Sequence, residues 1–179
     1  MADVDEYARD VFESAKTFLL SARNAQDDRA RQAYLRASIL SATCFLECQV
    51  NHLCDHFAHR REFTLHERAL LMERDVRLSD GKFKLGNEKF YRVEDRILLL
   101  LGKFCSGFDK SSHAWWAQYK IAVNTRNSIA HPRETVILVD TEVESSLRGV
   151  LHLVDFLLRQ IFGKGLPYML NDINPRYEY

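Results

Sequence analysis

The scarcity of Pro and Gly is the feature of this sequence that most limits its fold. The chain has 3 Pro and 7 Gly among 179 residues, and these two residues most often interrupt helices and mark turns. Hydrophobic residues make up 46% and charged residues 28%, which is the balance of a globular chain and not of a disordered one. Long helices therefore suit this sequence better than a many-stranded sandwich.

Apolar residues recur at helical spacing along most of the chain. The sequence predicts an all-α fold, an up-and-down helical bundle with four to five main helices. We expect residues 1–165 to form a single domain and residues 166–179, which include two prolines, to form an irregular tail. The predicted helices cover about Val4–Ala22, Asp28–Ala58, Val93–Phe104, Ser112–Ala130 and 141–162, with a shorter one near Leu65–Asp75.

Signals at the helix ends sharpen two of these predictions. Pro132 ends the fourth long helix, because the residue before a proline is pushed out of the helical region. The last helix is expected to begin with the capping-box pattern Thr141-Glu-Val-Glu144 and to end at Gly163.

The segment 76–92 departs from the helical pattern. Asp80-Gly81 lies between alternating apolar residues, which indicates a hairpin. We predict a short hairpin or an irregular insert here. Between Arg77 and Arg92 there are five basic residues and two acidic ones, the one basic-leaning insert in a chain whose 25 basic and 25 acidic residues cancel.

Charge and cysteine content suggest the cellular setting. A net charge of zero points to neither a nucleic acid nor a membrane, and a local patch keeps both open. The acidic N-terminus is unlike a signal peptide, and no apolar run is long enough to span a membrane. We expect a soluble cytoplasmic protein. The spacing of its four cysteines predicts reduced thiols and no disulfide framework: Cys44, Cys48, Cys54 and Cys105.

The segment 124–133 is the main candidate for chemistry. Arg126 lies on the predicted apolar stripe of its helix, and Asn127 and His131 are four residues apart, so they share a face if the helix continues. His131 is at the helix C-terminus, where the helix dipole favours a protonated imidazole. Arg126 and His131 are separated by roughly 140° on a regular helix. Either the last turn unwinds or a second copy of the chain completes the site, and we favour the second copy.

Arg126, Asn127 and His131, followed at once by Pro132, resemble the motif of the HEPN domain family. That motif is an Arg, four to six residues and a His, often with a polar residue directly after the Arg. As an architecture the resemblance covers most of the chain, roughly Tyr7 to Phe162. At the level of residues it is confined to the motif and, more loosely, to Glu47.

The resemblance implies a metal-independent endoribonuclease of HEPN type with no cofactor and no metal site. Such an enzyme cleaves RNA through its 2′-hydroxyl and leaves 2′,3′-cyclic phosphate and 5′-hydroxyl ends. His131 would act as acid or base, Arg126 would stabilise phosphate charge, and Asn127 and Glu47 would support them. The family also implies a homodimer, and a toxin or anti-phage defence effector with an antitoxin or a defence complex as partner.

Glu47 is the expected counter-charge of Arg126. A cation on an apolar helix face needs a partner, because an unpaired buried charge is very costly. On the second helix, Leu40, Cys44, Glu47, Asn51 and Cys54 follow one stripe, which we expect to be apolar and buried. We predict an Arg126–Glu47 contact, direct or through water, that Asn51 joins.

Weaker candidates for RNA binding surround the motif. Lys120 and Arg133 flank it and are expected to face phosphate. The Arg77–Arg92 insert either grips phosphates or is an ordinary solvated loop. Trp115 and Trp116 either stack on bases or belong to the core, and at least one of them must be core.

Two alternative functions stay open. The first is a non-catalytic HEPN module that binds a protein partner or a nucleotide and uses Arg126 and His131 structurally. The second is a sensor in which His52 and His56, one helical turn apart, hold a metal ion. Cys44 and Cys48 continue that row, but four ligands along one straight helix do not converge on a single ion.

Overall fold

The computed structural model describes residues 2–166 and 173–175. This part of the chain is mostly helical, which confirms the predicted fold class at that level. It also contains a two-stranded hairpin, the first of the two alternatives predicted for residues 76–92. Among the described residues, no helix has the length and apolar character needed to cross a membrane. The elements are α1 (Ala2–Asn24), α2 (Asp28–Phe57), α3 (Leu65–Leu71), β1 (Arg74–Ser79), β2 (Lys82–Glu88), α4 (Val93–Phe104), a 3₁₀ turn (Lys110–Ser112), α5 (Ala114–Ala130) and α6 (Asp140–Phe162).

Two predicted helix boundaries were wrong. α3 ends at Leu71, not at Asp75, because β1 already begins at Arg74. α6 begins at Asp140 with Val139 as its N-cap and without a side-chain cap, so the predicted Thr141–Glu144 capping box is absent. Glu144 instead accepts hydrogen bonds from two arginines. Gly163 ends α6 in the left-handed region, as predicted (φ 69°). The predicted irregular tail lies largely outside the described residues.

The chain divides into two compact units, residues 1–46 with 109–179 and residues 47–108. One boundary falls inside α2, and the other falls between Phe108 and Asp109, after α4. The first unit contains α1, the first part of α2, α5 and α6. The second contains the end of α2, α3, the hairpin and α4. The single domain over residues 1–165 stays a prediction.

The core of the first unit is built from the inward faces of its helices. The rings of Phe12 on α1 and Phe45 on α2 are 4.8 Å apart. α1 also buries an ion pair, in which Lys16 Nζ lies 2.9 Å from Glu13 Oε1 with both side chains almost fully covered. Charges taken out of water in this way need a partner close by. Other buried members of this core are Ala8, Leu19, Leu35, Ile39, Leu147, Val150, Leu151 and Val154.

Gly149 lets α5 and α6 pack closely. A Cβ atom built at this position would lie 2.5 Å from Gln118 Cβ and 2.6 Å from the backbone nitrogen of Tyr119. Any side chain larger than hydrogen would therefore push the two helices apart. This crossing fixes the helix that carries Arg126 and Asn127.

The second unit is held by aromatic and aliphatic side chains around α4. The ring of Phe104 lies 4.7 Å from that of Phe57, and the ring of Phe63 lies 5.9 Å from Phe57. Ile97 and Leu100, on the same helix as Phe104, are fully buried. Because these side chains recur at helical spacing along α4, one face of that helix belongs to the core.

The stripe predicted to be apolar and buried on α2 is largely not buried, and of its five residues only Cys54 is. Cys44 and Asn51 are exposed, and Leu40 is 37% exposed. Ile39 and Leu46 are buried instead. α2 carries apolar residues around much of its circumference, so periodicity alone could not decide which stripe faces the core.

The hairpin has the predicted turn. Asp80 (φ 53°) and Gly81 (φ 72°) both have positive φ, as a two-residue type I′ turn requires. The strands are antiparallel, and Leu78 faces Phe83 while Arg77 faces Lys84. Because side chains alternate between the two faces of a strand, these two pairs lie on opposite faces of the ribbon.

Candidate functional site

The end of α5 positions the three motif residues. The helix is regular through Ala130, and the backbone N–H of His131 still donates to the carbonyl of Asn127 (2.9 Å). His131 itself leaves the helix (φ −131°, ψ 64°), since the following Pro132 disfavours the helical region for the residue before it. The last turn is not unwound before His131.

Arg126 and Asn127 are brought together at this end of α5. Arg126 Nη1 donates to Asn127 Oδ1 over 3.1 Å. Arg126 is half-buried, whereas Asn127 and His131 are exposed. With its Oδ1 occupied, Asn127 retains the two N–H donors of its amide for another group.

The connection after the motif is fastened to α2. Gln32 Nε2 donates to the carbonyl of Leu138 (2.9 Å), and the backbone N–H of Leu138 donates to Gln32 Oε1 (2.9 Å). Arg36 Nη2 donates to the carbonyl of Val136 (3.3 Å). The side chain of Gln32 thus pairs with this backbone as a neighbouring strand would, and it limits where the chain can go after His131.

An ion pair closes the same connection at the start of α6. Arg31 Nη2 lies 2.8 Å from Asp140 Oδ1, and Arg31 Nε donates to the same oxygen over 3.1 Å. The hydrogen bond and the charge of Asp140 raise the pKa of Arg31 above its ordinary value. The sequence reasoning missed these partners, because residues about a hundred positions apart leave no local signal.

The supporting residues predicted from sequence are placed less closely. Lys120 is half-buried and Arg133 is exposed. Glu47 is half-buried and belongs to the second compact unit, so its contact with Arg126 stays a prediction. Asn51 accepts a hydrogen bond from Arg96 Nη1 (2.7 Å).

The two tryptophans have different environments. Trp116 is buried, and the edge of its ring meets Tyr119 at 5.2 Å between centroids, which is the core role expected for at least one of the pair. Trp115 is half-buried and stacks on His113 at 4.7 Å. The base-stacking role proposed for Trp115 stays a prediction.

The residues suggested as metal ligands are not assembled into a cluster. Among the described residues, no group of three or more His, Cys, Asp or Glu side chains is placed to hold a metal ion. His56 Nε2 lies 3.0 Å from Arg60 Nη2, a cation that competes with a metal for that nitrogen.

The cysteines are free thiols in different surroundings. Cys44 is exposed and Cys54 is buried. Burial raises the pKa of the Cys54 thiol to about 12, although the nearby Arg96 opposes the shift. Because the thiolate is the reactive form, Cys54 is an inert core residue at neutral pH.

The comparisons with known proteins give no relative: no family model, no curated protein and no solved structure matches this chain. The chemistry must therefore be argued from the end of α5. An exposed imidazole can take up or release a proton near neutral pH. The Arg126 guanidinium, on another side of the same helix end, can bind phosphate oxygens. Together they provide an acid or base and an anion-binding group.

Proposed function

We propose that this protein is a metal-independent endoribonuclease, and that its helical fold is of the HEPN type. The observation that carries the proposal is the pairing of Arg126 with Asn127 at an exposed helix end that His131 caps. A purely structural role would favour burial of these side chains, whereas two of the three are exposed. Their exposure supports access by a large substrate.

The reaction uses the nucleophile that RNA carries. A base removes the proton of the 2′-hydroxyl, O2′ attacks the adjacent phosphorus, and the P–O5′ bond breaks while an acid protonates O5′. The products are a 2′,3′-cyclic phosphate and a 5′-hydroxyl. Arg126 and the free amide hydrogens of Asn127 stabilise the charge on the phosphorane oxygens. DNA lacks the 2′-hydroxyl and is not cleaved.

We further propose that the active form is a homodimer. Each chain supplies one motif histidine, whereas the reaction needs both a base and an acid, so two motifs facing each other complete the site. The outer face of α5 supports this arrangement, because Ala117, Ile121 and Asn124 are exposed along it beside the motif. Ile121, which is 51% exposed, gives this face an apolar side chain that a second copy of the chain can cover.

The remaining site residues have supporting roles in this proposal. Glu47 balances the charge of Arg126, and Lys120 and Arg133 attract the RNA backbone on either side of the cleaved bond. The biological setting we propose is a cytoplasmic toxin or anti-phage effector that an antitoxin or a defence complex controls.

The test is cleavage of total RNA and tRNA in EDTA, with end-group analysis of the fragments. We expect cyclic-phosphate ends from the wild type and a rate at least about a hundredfold lower for His131→Ala, the usual worth of a general acid or base. His66→Ala removes another exposed histidine, on α3, and should cleave like the wild type. Intact RNA with a folded wild-type protein, or equal cleavage by His131→Ala, would refute the proposal.

A further inference from the structure

The hairpin presents large apolar side chains to solvent on one face. Leu78 and Phe83 face each other across the two strands, and they are 66% and 65% exposed. Phe90, two residues after the end of β2, is 85% exposed. Leu78 and Phe83 thus form a contiguous apolar pair on the ribbon, and Phe90 adds an exposed ring beyond its end.

The opposite face of the ribbon is basic. Lys82 pairs with Ser79 and Lys84 pairs with Arg77 across the strands. Arg77 and Lys84 have carboxylate neighbours at 3.2 Å, in Asp75 and Asp80. Over residues 77–92 the five basic residues still outnumber the two acidic ones, in a chain whose net charge is zero. The local excess of positive charge therefore belongs to the hairpin together with the segment after it, where Lys89 and Arg92 lie.

We propose that the hairpin is a binding site for single-stranded RNA. Bases stack on Phe83 and Phe90, and phosphates contact Lys82 and the cations beside it. Stacking on aromatic rings combined with a cationic surface is how proteins hold unpaired strands, because every base has a π-face and every phosphate a charge. A duplex hides its base faces in its own stack, so it cannot use the rings.

The shape of the ribbon allows both contacts at once. Its two strands are about 4.8 Å apart, so the ribbon is narrow. A flexible lysine side chain on one face can therefore extend to the long edge that the two faces share. A nucleotide carries its base and its phosphate on opposite sides of the ribose. A strand of RNA lying over the edge of the ribbon can place bases against Phe83 and phosphates near Lys82.

A protein that docked on the apolar face would use the ribbon less completely. It would cover Leu78 and Phe83 but leave the lysines of the opposite face without a role. RNA uses both faces, so it is the occupant that the charge and the exposed rings favour. This inference names the substrate grip of the proposed ribonuclease and rests on that function for its purpose, but the binding itself needs no cleavage.

The experiment measures RNA binding without cleavage. A fluorescein-labelled oligouridylate of about 12 nucleotides is titrated in EDTA with full-length protein carrying His131→Ala, and Kd is read from anisotropy. Adding Phe83→Ala should raise Kd about tenfold. Tyr7→Ala, which removes a ring of similar exposure (63%) on α1, should leave Kd unchanged. The same oligouridylate paired with its complementary oligoadenylate should bind more weakly than the single strand.

Two more variants separate stacking and charge from apolar docking. Phe83→Leu keeps apolar surface but loses the ring, so stacking predicts a loss of affinity close to that of Phe83→Ala. Lys82→Gln should reduce the slope of log K against log salt by about 0.7, the value for one phosphate contact on a single strand. Lys110→Gln, an exposed lysine in the 3₁₀ turn, should leave the slope unchanged.

Each outcome bears on the proposal. The hairpin proposal is overturned if the parent protein does not bind RNA, or if it binds the duplex as tightly as the single strand. It is also overturned if Phe83→Leu keeps full affinity, or if both Phe83→Ala and Lys82→Gln leave binding unchanged. If the wild type cleaves RNA but the hairpin variants bind RNA as tightly as their parent, only the hairpin site is refuted. If the hairpin variants weaken RNA binding but the wild type does not cleave RNA, the hairpin site is supported and the ribonuclease function is refuted.

Discussion

Glu144 shows how a single carboxylate ties two helices of the first unit together. It accepts hydrogen bonds from Arg148 on its own helix and from Arg23 on α1. These bonds, with Arg148 contributing most, hold the pKa of Glu144 below its usual value. Folding therefore favours the charged carboxylate. Its stabilising effect is present above the unfolded pKa of about 4.3 and is lost as the pH falls through the lower folded value.

Because folding lowers the pKa of Glu144, removing its charge should destabilise the protein at neutral pH but not at acidic pH. Glu144→Gln should lower the free energy of unfolding at pH 7 by roughly 0.2–1 kcal/mol, the range measured for solvent-exposed ion pairs. The difference from wild type should shrink below pH 4, because wild-type Glu144 also becomes protonated. Urea denaturation at several pH values measures this. Glu134→Gln, an exposed carboxylate outside the helices, should show no such loss, and a pH-independent effect of Glu144→Gln would contradict this role.

At the scale of residues, sequence patterns located groups but not their partners. The helix-ending position of His131 was predictable because Pro132 acts on its immediate neighbour. The buried pair of Glu13 and Lys16 was not, since charged residues normally lie on the solvent face of a helix and only tertiary packing covers these two. The predicted contact between Arg126 and Glu47 also depends on long-range packing, and it stays a prediction.

At the scale of elements, the crossing of α5 and α6 is sensitive to one glycine. Gly149→Ala should lower the free energy of unfolding by about 1–3 kcal/mol through overpacking, because its Cβ would meet Gln118 and the backbone of Tyr119. Cleavage should fall as well, since α5 carries the motif. Gly102→Ala is the matched control on α4, where a Cβ meets nothing within 4 Å. Alanine there should be neutral or stabilising by up to about 1 kcal/mol. Equal stability of the two variants would show that the helices can separate without cost.

Local chemistry also explains which elements could be predicted. The turn at Asp80-Gly81 and the stop before Pro132 depend on neighbouring residues alone, and both were found from sequence. The buried face of α2 was assigned wrongly because apolar residues surround that helix. The partners of Gln32 on the connection after α5 are set by tertiary structure, so no local pattern reports them.

At the scale of the whole molecule, the oligomeric state decides whether the proposed site is complete. Ile121→Arg places a charge on the exposed face of α5 and should shift the protein to monomer in sedimentation equilibrium, with cleavage falling in parallel. Leu20→Arg, which changes a side chain of α1 that is 42% exposed, should leave the dimer intact. A wild type that is monomeric at every concentration but cleaves RNA would contradict the two-copy site.

The scarcity of Pro and Gly predicted a mostly helical chain correctly. The first boundary between the two compact units had no such signal, because it falls between Leu46 and Glu47 in the middle of a continuous helix. The second boundary, between Phe108 and Asp109, does follow a breaker, Gly107. Which residues belong to which unit follows from packing alone.

The pairing of Gln32 with Leu138 has a consequence for how the length of the chain can vary. Val136, Leu138 and Asp140 are each attached to a different side chain of α2, so an added or deleted residue between them would break the match of donors with acceptors. The stretch from Arg133 to Thr135 is exposed and can absorb a change of length. Homologous sequences should therefore show insertions and deletions at residues 133–135, just after the motif, and not at residues 136–139, which lead into α6.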